Sequence, residues 1–344
     1  RKGGIVTFAR RRWVFIGGAK NMHVGVACAS WRTNDWGDVI GHCNSSLFSC
    51  FTEFILNIIL TVPVPALSLN FIEGRTAVTN TENPIKNQLK LRLAAGDVSL
   101  VMRIKMSRTV EIVGIAQAAG YHGIYIDMQH NTMSLDTASQ ICSAAVFAGI
   151  TPLVRVPEIA PTMIGRLLDG GALGIIVPDV ISADMAREAV NLCRMPPFGD
   201  RSIGGPIPLT GYQPLPGAQI SQIVNDETMV LAQLESGDAI DQAEAIAAVD
   251  GIDALFIGSS DLTLSLGIPG QFTHEKTQDC FKRAIDAAHK NGKHMFIGGI
   301  ADPEIARIYV EMGAAPCFFP GADSQLLLKA AKEAGAAFNA LAKK

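Results

Sequence analysis

The chain lacks most of the features that would commit it to a common partner. Seven cysteines (Cys28, Cys43, Cys50, Cys142, Cys193, Cys280 and Cys317) are scattered without a CxxC pair, and no histidine stands at zinc-like spacing. Such thiols read as reduced, mostly buried side chains of an intracellular protein, which predicts a cytoplasmic location. Charge is scarce as well: 18% of residues are charged and the formal net charge is −3. Nothing electrostatic therefore calls for nucleic acid. A GxGxxG turn and a GxxxxGK[ST] loop are both missing, which removes the familiar dinucleotide and nucleoside-triphosphate cradles. The apolar stretch from Cys50 to Leu69 is broken by Thr52, Glu53, Asn57, Pro63 and Pro65. A spanning helix needs about 18 apolar residues with few charges, so no membrane partner is predicted. Position 1 is Arg rather than Met, as in a fragment or processed chain, and no signal peptide opens the sequence.

What is present is apolar and periodic: 48% of the 344 residues are hydrophobic, ample for a large core. The first 82 residues stand apart. They hold Trp13, Trp31 and Trp36, three of the cysteines and the basic run Arg10-Arg11-Arg12, with no sustained period of 2 or 3.6. A poorly ordered extension is predicted there, with a targeting leader as the lesser alternative, and a single domain over 83–344. In that domain short apolar runs alternate with amphipathic helical patterns. Strands are predicted at Ser99–Lys105, Gly123–Asp127, Thr151–Val156, Gly174–Val177, Met229–Leu234, Ala254–Ile257, His294–Ile297 and Cys317–Phe319. Eight β/α units in a domain of this length predict an α/β fold of the (β/α)8 TIM-barrel kind, which takes about 250 residues. An open doubly wound sheet is the competitor, and it lacks its phosphate-binding turn here. The Pro- and Gly-rich stretch Met195 to Ser221 is long for a loop in a compact domain, which favours a functional role.

The strand ends carry the chemistry. Val230-Leu-Ala-Gln233-Leu-Glu235 is a buried run that ends in a carboxylate, and an unpaired carboxylate beside a core costs several kcal/mol. The next strand repeats the arrangement, running into Gly258-Ser259-Ser260-Asp261. In a barrel such residues converge on the C-terminal face, joined here by Asp127, His130 and Arg155. Each has a plain structural role open to it: Asp261 as a helix N-cap, Arg155 as the partner of a surface carboxylate, His130 as a packing residue. Jointly they make a better case for a site. Two carboxylates with open positions suit a hard cation such as Mg²⁺ or Mn²⁺. A 2-oxo acid can chelate that cation, which then acts as a Lewis acid towards its enolate. Arg155 adds a fixed charge near the keto oxygen, and N–H groups of Gly258 to Asp261 can receive the substrate carboxylate. His130, oriented by Asp127, is placed as general base. Lys105, at the end of the first strand, leaves a Schiff-base route open.

Eight stretches, in this order and spacing, carry a resemblance: Gly123-Ile-Tyr-Ile-Asp127-Met-Gln-His130, Pro152-Leu-Val-Arg155-Val-Pro157, Arg166-Leu-Leu-Asp169-Gly-Gly-Ala172, Gly174-Ile-Ile-Val-Pro178, Pro196-Pro197-Phe-Gly199-Asp-Arg201-Ser202, Gln233-Leu-Glu235, Ala245-Ile-Ala-Ala-Val-Asp250-Gly251-Ile-Asp253 and Ile257-Gly258-Ser-Ser-Asp261-Leu262. Over roughly Ala94 to Ala334 the chain resembles the HpcH/HpaI aldolases, class II pyruvate aldolases of the phosphoenolpyruvate/pyruvate barrel superfamily. The resemblance implies a divalent-metal-dependent carbon–carbon lyase that cleaves or forms 4-hydroxy-2-oxo acids through a pyruvate enolate. It implies Glu235 and Asp261 as ligands of Mg²⁺, Mn²⁺ or Co²⁺, and Gln233, Gly258, Ser259 and Ser260 beside the substrate. It also implies Arg155 at the keto oxygen and Asp127 with His130 as the proton-moving pair. The partners implied are pyruvate or oxaloacetate, an aldehyde or other acceptor, and further copies of the chain. Family hexamers form from dimers that exchange the last helix, near Asp323–Lys332. Two departures stand out: Gln129 replaces the usual Glu before the His, and Ser259 stands where Pro is common.

An altered water site also fits the fungal branch similar to macrophomate synthase, in which oxaloacetate decarboxylation supplies the enolate; Tyr212 in the long loop is then a candidate acceptor contact. Two further alternatives are a CoA-ester lyase, for which a basic phosphate-binding run is missing, and an inactive barrel acting as a binding module, for which Gln129 is the best argument.

Overall fold

Short, mostly apolar runs closed by Gly, Pro or a charge form strands, and here they do so eight times, from the two residues Cys317–Phe318 to the six of Met229–Leu234. The computed structural model describes residues 85–343, with side chains to 341, and the backbone of Thr7–Phe8 and Arg11–Arg12. The chain divides into two units, Arg1–Thr79 and Asn80–Lys344. In the first, Thr7–Phe8 pairs antiparallel with Arg11–Arg12. The extension predicted over residues 1 to 82 otherwise lies outside the described residues, as do Cys28, Cys43 and Cys50.

The second unit is the barrel. Its strands are β1 (Ser99–Ile104), β2 (Gly123–Asp127), β3 (Thr151–Arg155), β4 (Gly174–Val177), β5 (Met229–Leu234), β6 (Ala254–Gly258), β7 (His294–Gly298) and β8 (Cys317–Phe318). All neighbours are parallel, in the order β8-β1-β2-β3-β4-β5-β6-β7. The Ala315 N–H, just before β8, donates to the Met295 carbonyl of β7 at 2.9 Å, which nearly closes the ring. The architecture is the predicted TIM barrel.

Because strands alternate their side chains, each strand feeds two cores. Val101, Tyr125, Leu153, Leu231, Phe256 and Phe296 fill the barrel, and the helix Gln88–Ala95 plugs its lower end with Leu89 and Leu93. The intervening residues, such as Ile124, Ile126 and Val154, pack outward against the surrounding helices. Several charged residues of the family-like stretches prove structural. Arg194 pairs with Asp253 at 2.6 Å, and Arg201 with Asp169 at 2.7 Å.

The readings of the long loop and of Tyr212 change. The stretch Met195 to Ser221 is not all loop, because a helix begins at Gly217 and runs to Glu227. It also joins a helix to the next strand, so it belongs to the N-terminal face, opposite the strand ends. Its Met195, Ile207 and Leu209 pack with Leu173, just ahead of β4. Tyr212 stacks on Phe147 at 6.0 Å and does not line the cavity described below, so it is not an acceptor contact. The Ala-rich stretch after β5 forms two short helices, Gly237–Asp241 and Ala243–Ala247. Both bury apolar residues, Ile240 and Ile246 among them, in the outer core. No helix among the described residues is long and apolar enough to cross a membrane. The last helix, Asp323–Asn339, buries only Asp323 and leaves Leu327, Leu328 and Phe338 more than half exposed.

Candidate active site

Above the apolar layer the inward positions of the strands turn polar. β2 contributes Asp127, β3 Arg155, β5 Gln233 and β6 Gly258, and register sets Asp127 beside Arg155. The floor is aromatic, with Phe256 and Phe319 edge to face at 5.1 Å and Tyr125 at 5.8 Å from Phe319. The Arg155 guanidinium lies over the Tyr125 ring at 5.7 Å, a cation–π contact that fixes its plane. A cavity of about 320 Å³ opens above, lined by His130, Arg155, Gln233, Gly258, Ser259, Ser260 and Asp261 among others. Asp127 and Glu235 stand just behind that lining.

Asp127 is fully buried and its carboxylate is engaged on both oxygens. Arg155 donates to it through Nε at 3.2 Å and Nη2 at 2.8 Å. The backbone N–H groups of Gln129 and His130 each donate to Oδ1 at 3.2 Å, and Lys105 Nζ is 3.7 Å from Oδ2. Burial would raise the Asp127 carboxyl, but Arg155 and these donors outweigh it and hold it below the usual carboxylate range. One expectation is thereby corrected. Asp127 does not orient the His130 ring, because its lone pairs are spent on the guanidinium and the backbone. The His130 side chain stands exposed at the edge of the cavity. Arg155, for its part, pairs with this buried carboxylate and not with a surface one. Lys105 is tied to the same ion pair, which argues against a free amine for a Schiff base.

Glu235 is 7% exposed. The Asp179 N–H donates to its Oε2 at 3.3 Å, Gln233 Nε2 donates to Oε1, and Arg155 Nη1 lies 3.9 Å from Oε1. Burial first, then the adjacent Asp179 side chain and its charge, push the Glu235 carboxyl up to about 8; Asp261 adds to the rise and Arg155 opposes it. Asp261 lies in the first turn of the helix Ser259–Ser265, whose N-cap is Gly258. Its carboxylate has no hydrogen-bond or ion-pair partner among the described residues and faces the cavity, so it is not the N-cap that its position allows.

Sequence reasoning missed Asp179, which follows β4 just as the other site residues follow their strands. It adopts φ 52°, a left-handed conformation that Asp and Asn tolerate best among side-chain-bearing residues. Its Oδ2 lies 3.5 Å from Gln129 Nε2. The available signal was its place after the apolar run Ile175–Pro178, the same pattern that marks Asp127 and Glu235.

Does this donor set suit a divalent cation? Glu235 and Asp261 supply two carboxylates that repel one another until a cation joins them. The buried Gln233 Oε1 has no donor among the described residues, and an orphaned amide oxygen is costly unless something satisfies it. All donors are oxygen, as a hard cation requires. No group of three or more His, Cys, Asp or Glu among the described residues could hold an ion by itself, so the remaining positions fall to water and substrate. The set fits.

The approach is tight at Gly258, where a Cβ would come within 2.7 Å of Glu235 Oε1 and 2.8 Å of Gln233 Nε2. Gly258→Ala should therefore displace the carboxylate and lower kcat by about 10²-fold, as misplacements of about 1 Å do, while the barrel still folds. Circular dichroism and initial rates check this, and an unchanged kcat would remove Gly258 from the site.

Fold and site together define a barrel enzyme with an acidic, guanidinium-flanked pocket at its C-terminal mouth. Residues 103–330 match the model of the family described as HpcH/HpaI aldolase/citrate lyase. The chain is 36% identical over 217 residues to a 4-hydroxy-4-methyl-2-oxoglutarate aldolase of Hapsidospora irregularis, covering 62% of this chain and 80% of that one. It is 32% identical over 261 residues to a 4-hydroxy-2-oxo-heptane-1,7-dioate aldolase of Escherichia coli, covering 75% and 97%. Among solved structures, an HpcH/HpaI aldolase from Desulfitobacterium hafniense DCB-2 superposes with a TM-score of 0.68 at 32% identity, over 73% of this chain and 96% of that one. Macrophomate synthase superposes with a TM-score of 0.65 at 21% identity, over 78% and 97%, a likeness of fold alone. The chain belongs to the HpcH/HpaI aldolase/citrate lyase family.

Proposed function

We propose that this protein is a divalent-metal-dependent aldolase that cleaves and forms 4-hydroxy-2-oxo acids by way of a pyruvate enolate. The observation that carries the reading is the Glu235–Asp261 pair: one buried carboxyl pushed up by its surroundings and one carboxylate that no donor among the described residues touches. Glu235 and Asp261 would hold the cation, whose chemistry is Lewis-acid stabilisation of the enolate oxygen. Arg155 Nη1 is the guanidinium donor left over from the Asp127 pair, and it serves the substrate keto oxygen. Asp127 acts through Arg155, fixing the plane of the guanidinium. His130, exposed at the cavity edge, moves the proton of the 4-hydroxyl directly or through a water. Gln233 holds the Glu235 carboxylate in place, and Ser259 and Ser260 face the substrate carboxylate. Intact acidic and basic groups around the cavity argue against an inactive binding module.

The test is pyruvate release from 4-hydroxy-4-methyl-2-oxoglutarate, and from oxaloacetate as a second source of the same enolate. Treatment with EDTA should abolish it, and Mg²⁺, Mn²⁺ or Co²⁺ should restore it. Turnover that survives complete chelation would overturn the mechanism.

The raised Glu235 carboxyl has a consequence for pH. A carboxyl whose folded value lies above its ordinary one contributes stability below the ordinary value and loses it as pH rises through the folded value. In the cation-free protein this contribution is therefore lost between about pH 4.5 and about pH 8. Cation binding needs the ionised form, so the rise in Tm produced by Mn²⁺ should be larger at pH 8.5 than at pH 6. Thermal unfolding at the two pH values checks this, and a pH-independent rise would count against Glu235 as ligand.

The exposed apolar residues of the last helix, Leu327, Leu328 and Phe338, support a homo-oligomer built across that helix, a hexamer if the family assembly holds. Light scattering measures it. The unpaired Cys142, Cys193, Cys280 and Cys317 support a cytoplasmic location.

A further inference from the structure

We infer that Asp179 is a positioning residue of the cation site: its main-chain N–H, turned inward by a left-handed backbone, holds the Glu235 carboxylate in the direction a shared ion requires. The inference rests on the metal-dependent reading above and deepens it, since it concerns what aims one of the two carboxylates.

Among the described residues only Asp179 and Tyr212 take a positive φ without being glycine, at 52° and 57°. Such a conformation costs a side-chain-bearing residue stability, and it persists where the surroundings demand it. At Tyr212 the surroundings are local: the N–H donates to the Ile207 carbonyl at 3.1 Å, and the ring stacks on Phe147. At Asp179 they are the site itself. Its N–H donates to Glu235 Oε2 at 3.3 Å, across 56 residues of sequence.

The turn has a cause on either side. Pro178 is buried, and its ring locks its own φ at about −65°. Val180 is fully buried and donates its N–H to the Gln233 carbonyl at 3.1 Å. One residue is left between these anchors to carry the chain from the end of β4 onto the end of β5. A left-handed φ makes that reversal in a single step.

The two oxygens of Glu235 are held differently. Oε1 is confined by the Gln233 amide that donates to it and by Arg155 Nη1 at 3.9 Å. Gly258 closes in on the same oxygen, since a Cβ there would stand 2.7 Å away. Oε2 has the Asp179 N–H as its one N–H donor among the described residues. The last torsion of a Glu side chain is broad, so without that donor the plane of the carboxylate is pinned at one oxygen only. The Asp179 side chain does not supply the restraint. It is exposed, and its charge repels the Glu235 carboxylate.

Calorimetric titration with Mn²⁺, in the absence of substrate, tests this on the wild type and four variants. Asp179→Gly and Asp179→Asn accept the left-handed conformation and should bind Mn²⁺ within about threefold of the wild type. Asp179→Asn also removes the repulsion and a charge that draws the cation, two effects of opposite sign. Asp179→Ala and Asp179→Val disfavour the conformation, the second more because valine is β-branched. The turn then relaxes in the cation-free protein, and the apparent Kd rises as the competent fraction falls. The rise should be about 5- to 30-fold in Asp179→Val and smaller in Asp179→Ala. Circular dichroism establishes that each variant is folded, and Asp179→Ala against Asp179→Gly carries the comparison if Asp179→Val does not fold. A purely structural role would lower the Tm of Asp179→Val and Asp179→Ala and leave the Kd unchanged, a result that overturns the inference. A loss in Asp179→Asn as large as that in Asp179→Val also overturns it, because the cation would then depend on the side chain and not on the backbone. A wild type that binds no Mn²⁺ would overturn the cation site itself, and the inference with it.

Discussion

Glu235→Ala is expected to abolish divalent-cation binding at the barrel mouth and to lower turnover by on the order of 10³-fold or more, because Lewis-acid stabilisation is worth several kcal/mol. The variant should nonetheless fold. In the cation-free protein Glu235 is a buried carboxyl beside Asp179 and Asp261, pushed up to about 8, and removing such a group relieves repulsion rather than breaking a support. Its cation-free Tm should equal or exceed that of the wild type, while the increment added by Mn²⁺ disappears. Asp261→Ala should lose the same increment, without the gain in the cation-free state, since that side chain is exposed and has no hydrogen-bond or ion-pair partner among the described residues. Measurable Mn²⁺ binding in either variant, by titration or by the paramagnetic signal of the ion, would show that the two do not share an ion.

The second large effect is at Arg155. Arg155→Ala should cost about 10²–10³ in kcat, the scale of a lost oxyanion donor, and a loss below about tenfold would remove it from the chemistry. Here stability should fall too. Asp127 is fully buried, and without its guanidinium it keeps Lys105 at 3.7 Å and two backbone N–H groups. Breaking a buried pair on one side costs about 3–5 kcal/mol. Arg155→Lys separates the two roles. A lysine can restore charge near Asp127 but cannot make the bidentate contact and still spare a donor for the substrate. It should recover much of the Tm and little of the kcat.

The strand ends of this barrel were legible because two physical signals coincide there. An aliphatic run that stops at Asp127, Arg155 or Glu235, all three still buried, marks both the end of the apolar core and the start of chemistry. Seven of the nine predicted site residues line one cavity, and Asp127 and Glu235 are hydrogen-bonded to Arg155 and Gln233 of that lining. Pairing was not legible. Asp127 and His130 are three residues apart in sequence and invite a dyad, yet the parallel register sets Asp127 across from Arg155, on the neighbouring strand. The carboxylate goes to the donor that can take both its oxygens. Tyr212 failed for a topological reason, since a long loop after a helix emerges at the opposite end from a long loop after a strand. Asp179 was missed because its importance lies in what it neighbours, and its left-handed backbone leaves no mark in composition.

Periodicity and chain length were enough to decide the barrel, and residue type at the strand ends was enough to decide the kind of chemistry, because burial and charge are properties each residue carries with it. Which side chains meet is another matter. The Gln233 oxygen that finds no donor among the described residues, the Asp127–Arg155 pair and the crowding of Glu235 all depend on strand register and on contacts between residues far apart in sequence. Those distances exist only once the sheet has closed.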